Sequence, residues 1–240
     1  MKKIAITVGD PLGIGLEVTC KALEQLGPQV GAQFFIFRSS HGDLQQLKRL
    51  DKKFHRIAVS SLQEALQLPA SNKKKDLIEI VSSRSAPYWV EESARACHKK
   101  IFNGLVTAPL SKTLIQKAGF KAKGHTEILQ RVSGSKKVHM VFVGSNFNVL
   151  LVTGHMALKK VSQALTRIEL RLALTRALEL RKILPPVAQK KPVALVGLNP
   201  HAGESGLLGK EEISIFKPVL TQFSEVVGPL PPDAAFLKQN

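Results

Sequence analysis

The chain has 240 residues, and 44% of them are hydrophobic, which is enough to bury one large core or two smaller ones and excludes a disordered chain. No apolar run approaches the ~20 residues that a membrane helix needs, and the N-terminus begins with strand-like sequence rather than a signal peptide, so we expect a cytoplasmic protein. The formal charge is +17, from 35 Lys and Arg against 18 Asp and Glu, which makes nucleic acid a partner to consider.

The distribution of these charges argues against nucleic acid. Basic residues are dispersed in pairs and triplets, such as Lys73-Lys74-Lys75, and the chain has only one Trp and one Tyr to stack on bases. We expect a solvated basic surface, whose positive field would speed the arrival of phosphorylated substrates and anionic dinucleotides. The two cysteines, Cys20 and Cys97, are far apart and lack a Cys-x-x-Cys pattern, so we expect small core residues and no disulfide.

The N-terminal segment has a strand–loop–helix pattern. Residues 2–8 are predicted to form a strand, and residues 16–26 have the apolar spacing of a helix. The loop between them is Gly9-Asp10-Pro11-Leu12-Gly13-Ile14-Gly15, which would expose backbone N–H groups at a helix N-terminus and could cradle a phosphate. Its order Gly-x-x-x-Gly-x-Gly differs from the dinucleotide fingerprint Gly-x-Gly-x-x-Gly. The alternative is a tight turn that needs glycine for its backbone angles.

Apolar runs continue the alternation of strands and helices. Strands are predicted at 32–37, 57–59, 77–81 and 104–107, and helices at 43–50, 88–100 and 114–118, with a polar surface loop at 71–76. Ser111 is suited to cap the helix that follows it. His125 and Thr126 precede a helix predicted at 128–132, which Thr126 could cap.

The second half contains two histidines that follow apolar runs. Residues 138–143 and 148–152 are predicted to form a β-hairpin that leads to His155. A long helical pattern at 158–184 comes next, and then a strand-like run at 193–198 that leads to His201 and to a helix at 210–223.

His155 and His201 would lie at strand ends of one sheet, where they could face the same cleft. Neutral imidazole is the commonest metal ligand, and two such groups with one open side suit a catalytic divalent metal. The alternative is that each histidine hydrogen-bonds a loop carbonyl, since a local ligand motif such as His-Glu-x-x-His is absent from the sequence.

Five motifs occur in the order found in one enzyme family. They are Gly9-Asp10-Pro11-Leu12-Gly13-Ile14-Gly15, Gly124-His125-Thr126-Glu127, Thr153-Gly154-His155, Asn199-Pro200-His201-Ala202-Gly203-Glu204 and Gly228-Pro229-Leu230-Pro231-Pro232-Asp233. In these motifs the chain resembles the 4-hydroxythreonine-4-phosphate dehydrogenases over its whole length. The resemblance implies NAD(P)-dependent oxidation of 4-phosphooxy-L-threonine to a β-keto acid, which decarboxylates to 3-amino-2-oxopropyl phosphate in pyridoxal phosphate biosynthesis.

The resemblance also implies roles for single residues of the first half. His125 and Thr126 match residues that hold the phosphorylated amino-acid substrate. The loop with Asp10, Gly13 and Gly15 would lie near NAD or NADP.

In the second half, the resemblance implies a divalent metal, which could be Zn, Mg or Co. His155 and His201 match two of the three histidines that hold this metal. The third belongs to a His-Asp-Gln-Gly segment, and we expect the chain to stop at Asn240 before reaching it, so that the 240-residue chain would turn over substrate poorly. Asp233 is the acidic candidate for catalysis, and the alternative is an ordinary surface turn residue.

The fold implied by the resemblance is three-layer α/β/α with two lobes, like the isocitrate and isopropylmalate dehydrogenases. The first lobe, 1–120, would carry the glycine-rich loop, and the second, 121–240, the metal histidines. A homodimer is also implied, with the active site at its interface and the helix 158–184 buried between subunits. Two other hypotheses stay open: a related dehydrogenase of a four-carbon phosphorylated sugar acid, and a catalytically inactive binding protein.

Overall fold

The computed structural model describes residues 1–41, 44–69, 75–144 and 146–236, and the chain divides into two compact units, unit 1 (1–138) and unit 2 (139–240). Three sequence predictions fall partly outside these residues: the helix start at Asp43, the loop at 71–74 and the hairpin turn at Ser145. Residues 121–138, which were predicted to belong to the second lobe, lie in unit 1, and the lobe boundary near residue 120 stays a prediction. Within the described part, every helix is too short or too polar to cross a membrane.

Unit 1 is built on a five-stranded parallel sheet flanked by helices, which confirms the predicted α/β class. Its strands, in the spatial order β3-β4-β2-β1-β5, are β1 (Lys2–Thr7), β2 (Ala32–Arg38), β3 (His55–Val59), β4 (Asp76–Val81) and β5 (Gly104–Thr107). Its helices are α1 (Gly15–Leu26), α2 (Leu44–Lys48), a 3-10 helix (Arg49–Lys52), α3 (Leu62–Gln67), α4 (Ala86–His98), α5 (Lys112–Lys117) and α6 (His125–Ser133).

The central strands β2 and β4 of this sheet are buried on both faces, which explains their largely apolar sequences. In β2 the four residues Phe34–Phe37 are at most 8% exposed. The rings of Phe35 and Phe37 pack on Phe102, with centroid distances of 5.1 and 6.2 Å. Helix α4 packs on β1 and β5 and buries Trp89 completely.

One acidic side chain lies inside this sheet. Glu79 on β4 is 1% exposed, and its carboxylate accepts from Arg38 Nε at 2.6 Å and from Arg56 Nη1 at 2.7 Å. Arg56 is also paired with Asp51. The two guanidinium groups compensate for the desolvation of a carboxylate that would otherwise be unstable in this core.

Unit 2 contains two small sheets. The antiparallel pair is β6 (Val141–Val143) with β7 (Asn148–Leu150), which confirms the predicted hairpin, and the parallel pair is β8 (Val193–Val196) with β9 (Val226–Leu230). The helices are a 3-10 helix (Leu158–Lys160), α7 (Val161–Ala164), α8 (Arg167–Arg181), α9 (Pro186–Gln189), a π-helix (Glu212–Phe216), α10 (Lys217–Leu220) and α11 (Pro232–Ala235). Leu170, Leu174, Leu195, Phe216 and Val219 form its core.

The prediction of one continuous helix at 158–184 is wrong. The chain leaves the helical conformation at Leu165 (φ −79°, ψ 98°), whose side chain is buried in the core of unit 2. Thr166 then caps a new helix, accepting from the Glu169 N–H at 3.2 Å. The apolar periodicity is therefore shared between two helices, of which α8 is the longer.

The predicted helix at 210–223 is also not a regular α-helix. Pro218 lacks an N–H, so it cannot donate to the carbonyl of Ser214 one turn earlier. Arg167 takes that carbonyl instead, donating from Nε at 3.0 Å and from Nη2 at 2.7 Å. A π-helical turn ends two residues before this proline, at Phe216, so the regular α-helical hydrogen bonds are interrupted here.

Candidate functional site

The glycine-rich loop of unit 1 is fixed by Asp10. The Asp10 N–H donates to the carbonyl of Pro109 at 3.0 Å, and its Oδ1 accepts from the N–H of Leu12 at 3.0 Å. The carbonyl of Asp10 accepts from the N–H of Gly13 at 2.9 Å. One carboxylate oxygen of Asp10 thus stabilises the turn by accepting a backbone hydrogen bond within it.

Two of the three glycines in this loop are required by packing. Gly9 has φ +73°, and a Cβ there would lie 2.2 Å from the Pro109 oxygen. A Cβ at Gly15 would lie 1.9 Å from the Val8 oxygen. Gly13 differs, because its φ is not in the left-handed region and its nearest neighbour would be 3.3 Å away. The tight-turn alternative therefore accounts for the backbone angles of Gly9, and at Gly13 an added Cβ would press only slightly on Asp10.

A cleft of about 100 Å³ opens beside the loop, lined by Asp10, Gly13, Arg38 and Gln46 among others. The Oε1 atom of Gln46 is buried and has no hydrogen-bond partner among the described residues. Asp10 and Gly13 therefore line a polar recess of unit 1, whereas Gly15 packs against the protein.

His125 is the first residue of α6, and its ring is tied to the strand next to β1. It hydrogen-bonds the backbone of Ala108, which directly follows β5. Burial lowers the pKa of the imidazole, and the bond to Ala108 raises it by less. Its Nε2 atom is buried and has no hydrogen-bond partner in the described part of the chain. A buried polar atom without a partner is uncommon in native structures and suggests a ligand.

The sequence allowed Thr126 to cap the helix that follows it, but Thr126 does not cap α6. The helix begins one residue earlier, at His125, and its N-cap is Gly124, without a side-chain cap hydrogen bond. Thr126 is exposed. Ser111, by contrast, caps α5 as predicted, accepting from the Leu114 N–H at 3.1 Å.

The glycine-rich loop and His125 meet at one edge of the parallel sheet. A Cβ on Gly15 would lie 2.9 Å from the Ala108 Cβ, and Ala108 is the hydrogen-bond partner of His125. These residues follow the carboxyl ends of β1 and β5, while β1 is joined through α1 to β2 on its other side. Ligands of open α/β sheets bind where connections diverge in this way.

In unit 2, His201 lies on a left-handed turn. Residues 201–205 all have positive φ, and four of them, His201, Ala202, Glu204 and Ser205, are not glycine. This conformation costs an L-residue roughly 1–2 kcal/mol. Such strain persists only where surrounding contacts enforce it, and it concentrates at functional sites.

Asp233 on α11 holds one side of this turn. Its Oδ1 accepts from the His201 N–H at 3.4 Å, and its Oδ2 lies 3.2 Å from His201 Nδ1. The pKa of Asp233 is lowered, first by a hydrogen bond from its own backbone and also by His201. A carboxylate at Nδ1 orients the ring and leaves Nε2 free for a ligand.

Glu212 holds the other side, and the sequence did not single it out. This carboxylate is 2% exposed, and it accepts from the N–H groups of Leu198 and Asn199, both at 2.8 Å. In the sequence, Glu211-Glu212 resembles the ordinary acidic first turn of a helix. The signal available in the sequence was that the acidic pair Glu211-Glu212 closely follows the loop with several glycines that carries His201.

The predicted metal site is incomplete within the described residues. No group of three or more His, Cys, Asp or Glu side chains there is placed to hold a metal ion. The expectation that His155 and His201 follow strands of one sheet is wrong, because β7 belongs to the β6–β7 sheet and β8 to the β8–β9 sheet. Strands β6 and β7 pair with each other in a short hairpin, and β8 pairs with β9, so β7 and β8 lie in different sheets. His155 is exposed, and a shared metal stays a prediction.

Comparison with known proteins identifies the family. A family model described as "Pyridoxal phosphate biosynthetic protein PdxA" matches residues 28–240. A 4-hydroxythreonine-4-phosphate dehydrogenase of Sulfurihydrogenibium is 32% identical over 98% of this chain and 76% of its own length. A D-threonate 4-phosphate dehydrogenase of Salmonella typhimurium is 32% identical over 99% of this chain and 77% of its own length.

A solved structure shows the same relationship. The 4-hydroxythreonine-4-phosphate dehydrogenase of Klebsiella pneumoniae has a TM-score of 0.78 and 27% identity, covering 98% of this chain and 77% of that chain. This likeness confirms the predicted isocitrate dehydrogenase-like fold. By the family model and by its relatives, this chain belongs to the PdxA family of pyridoxal phosphate biosynthetic proteins.

Proposed function

We propose that the chain oxidises 4-phosphooxy-L-threonine with NAD or NADP, giving a β-keto acid that decarboxylates to 3-amino-2-oxopropyl phosphate. Membership of the PdxA family and the names of its relatives support the reaction class. The structural observation that carries the proposal is the buried Nε2 of His125, which lacks a partner among the described residues beside the glycine-rich loop.

His125 and Thr126 form the proposed substrate site. Because burial lowers the pKa of His125, its ring is neutral near pH 7, and a ring that donates to Ala108 has an acceptor at Nε2. This atom suits a hydroxyl or ammonium hydrogen of the substrate. A phosphate at the same place would favour the protonated ring, which donates from both nitrogens. The exposed hydroxyl of Thr126 can donate to a phosphate in either case.

The loop with Asp10, Gly13 and Gly15 is the proposed cofactor site. The N-terminus of the 12-residue helix α1 follows this loop and favours an anionic group. We expect Gly13→Val to weaken NAD binding, because a β-branched side chain would fill the approach to the loop. Gly104→Val is the control, since Gly104 lies at the opposite end of β5 and a Cβ there has room. A folded Gly13→Val protein with unchanged NAD affinity would contradict this role.

His155 and His201 are the proposed protein ligands of a divalent metal, which could be Zn, Mg or Co. The donor types fit, and His201 presents Nε2 because Nδ1 faces Asp233. When bound, such an ion polarises a substrate hydroxyl. Asp233 supports the catalytic role of this site by orienting the ring and stabilising positive charge on it.

One observation supports D-threonate 4-phosphate as an alternative substrate. The Salmonella typhimurium relative is named for D-threonate 4-phosphate, which carries a hydroxyl where 4-phosphooxy-L-threonine carries an amine. Both groups can donate to His125, so this contact does not distinguish the two acids.

The test is NAD(P)H formation by the purified chain with each acid in turn, in Zn²⁺ or Mg²⁺, beside a His125→Asn variant. We expect faster turnover with 4-phosphooxy-L-threonine and a raised KM in the variant. Faster turnover with D-threonate 4-phosphate would assign the alternative substrate. Absence of turnover with either acid, by a folded protein that binds them, would favour the inactive binding protein.

We also propose a homodimer. Unit 2 exposes apolar side chains on and beside the hairpin, with Phe142 57%, Val143 72% and Phe147 54% exposed. The ring of Phe147 packs at a tilt against the ring of Phe236, which is itself 54% exposed. Exposed apolar groups of this kind suit a protein interface. Light scattering should give the dimer mass for the wild type and the monomer mass for Phe142→Asp, and a monomeric wild type would contradict the proposal.

The proposed location is the cytoplasm. Cys20 and Cys97 are both free, and burial raises the pKa of each thiol, to about 11 for Cys20. Thiols with raised pKa values are unreactive core groups, in agreement with the sequence prediction.

A further inference from the structure

We propose that Glu212 is the positioning residue for His201. Its buried carboxylate holds the left-handed turn of residues 201–205 and so fixes the direction in which His201 presents its imidazole. The inference deepens the proposed function, since it assumes that this imidazole is the functional group of unit 2.

The hydrogen bonds of Glu212 converge on the two residues that precede the turn. Oε1 accepts from the N–H groups of Leu198 and Asn199, and Oε2 accepts from Asn199 Nδ2 at 2.9 Å. Charge-assisted hydrogen bonds are among the strong ones, particularly out of water. They fix the backbone where β8 ends, so the chain enters the turn in one orientation.

The carboxylate also fills the inner side of the turn. A Cβ on Gly203 would lie 2.7 Å from Oε2, and one on Gly197 would lie 3.2 Å from Oε1. The turn therefore wraps closely around Glu212. This close packing links the position of the Glu212 carboxylate to the backbone that carries His201.

Two carboxylates thus hold His201 from different sides. Asp233 contacts the histidine itself, through its N–H and Nδ1, whereas the hydrogen bonds of Glu212 go to Leu198 and Asn199, before it. Asp233 can set the rotation of the ring, but the position of the Cα atom depends on the turn. Since a misplaced supporting group loosens a site without unfolding it, the Glu212 contact should affect ligand affinity more than overall stability.

The experiment compares Glu212→Leu, which removes the acceptors at similar volume, with Glu212→Gln, which keeps one acceptor oxygen for the two backbone N–H groups. Glu179→Leu, on an exposed position of α8, is the matched control. The readouts are the His201 imidazole signals in NMR spectra of the metal-free chain, Co²⁺ affinity and the melting temperature. Loss of an orienting contact near a metal ligand typically costs about 10–100-fold in metal affinity.

We expect Glu212→Leu to shift or broaden the His201 signals and to lower Co²⁺ affinity about 10–100-fold, Glu212→Gln to be intermediate, and the control to match the wild type. If Glu212→Leu does not fold, Glu212→Gln and Asn199→Ala decide the question by the same readouts. A folded variant that melts earlier but keeps the wild-type His201 signals and Co²⁺ affinity would overturn the proposal and leave Glu212 a purely structural role. The metal-free spectra decide this even if the wild type shows no turnover, which would count against the proposed function alone.

Discussion

Gly15→Ala offers a direct test of how tightly the glycine-rich loop is packed. The added Cβ would lie 1.9 Å from the Val8 oxygen and 2.9 Å from the Ala108 Cβ, so the backbone would have to move by about 1 Å to restore a 3.0 Å separation. Overpacking of this kind costs about 1–3 kcal/mol. Helix propensity acts in the opposite direction, because Ala is favoured over Gly by up to about 1 kcal/mol within a helix. A loss of stability would therefore show that overpacking dominates, and a gain would show that helix propensity dominates.

The assay uses the intrinsic fluorescence of the chain. Trp89 is the only tryptophan and lies fully buried in unit 1, so its emission reports the unfolding of the unit that contains Gly15. After the helix-propensity gain is subtracted, we expect Gly15→Ala to lower the melting temperature by up to about 12 °C, at about 2–4 °C for each kcal/mol. Gly104→Ala is the control in the same unit, because its Cβ would be in ordinary contact with Ile4 Cδ1 at 3.5 Å. A Gly15→Ala protein as stable as the wild type would refute the packing argument.

Three further predictions concern single side chains. His201→Ala should abolish the affinity of the chain for Co²⁺ or Zn²⁺, as measured by calorimetry, and unchanged affinity would exclude this ligand. Burial lowers the pKa of His125 in the folded chain, so the unfolded chain binds the extra proton below about pH 6.5, and stability should fall as pH falls through that value. The urea midpoint of the wild type should therefore drop more with falling pH than that of His125→Asn. An equal drop in the two midpoints would contradict this prediction. Glu79→Ala should cost about 3–5 kcal/mol, because Arg38 and Arg56 would lose their buried partner, and a loss below about 1 kcal/mol in fluorescence-monitored unfolding would show that the pair is dispensable.

Much of unit 1 follows from local patterns in the sequence. The run Phe34–Phe37 predicts a buried strand because a parallel sheet is covered on both faces, and Ser111 caps α5 as its side chain allows. The glycine-rich loop was recognisable too, since Gly9 needs its positive φ for the turn. These features depend on residues within a few positions of one another, so periodicity and composition suffice to find them.

The sequence by itself also determined the family, through short motifs whose order does not depend on the fold. What only the tertiary structure decided depends on residues far apart in the chain. Arg167 donates to the Ser214 carbonyl, which the interrupted helix leaves without its usual partner. The chain also leaves the helical conformation at Leu165, whose side chain is buried in the core of unit 2. The left-handed turn that carries His201 is strained in isolation and exists because Glu212 and Asp233 hold it. Local propensity cannot predict a conformation that is unfavourable until distant partners stabilise it.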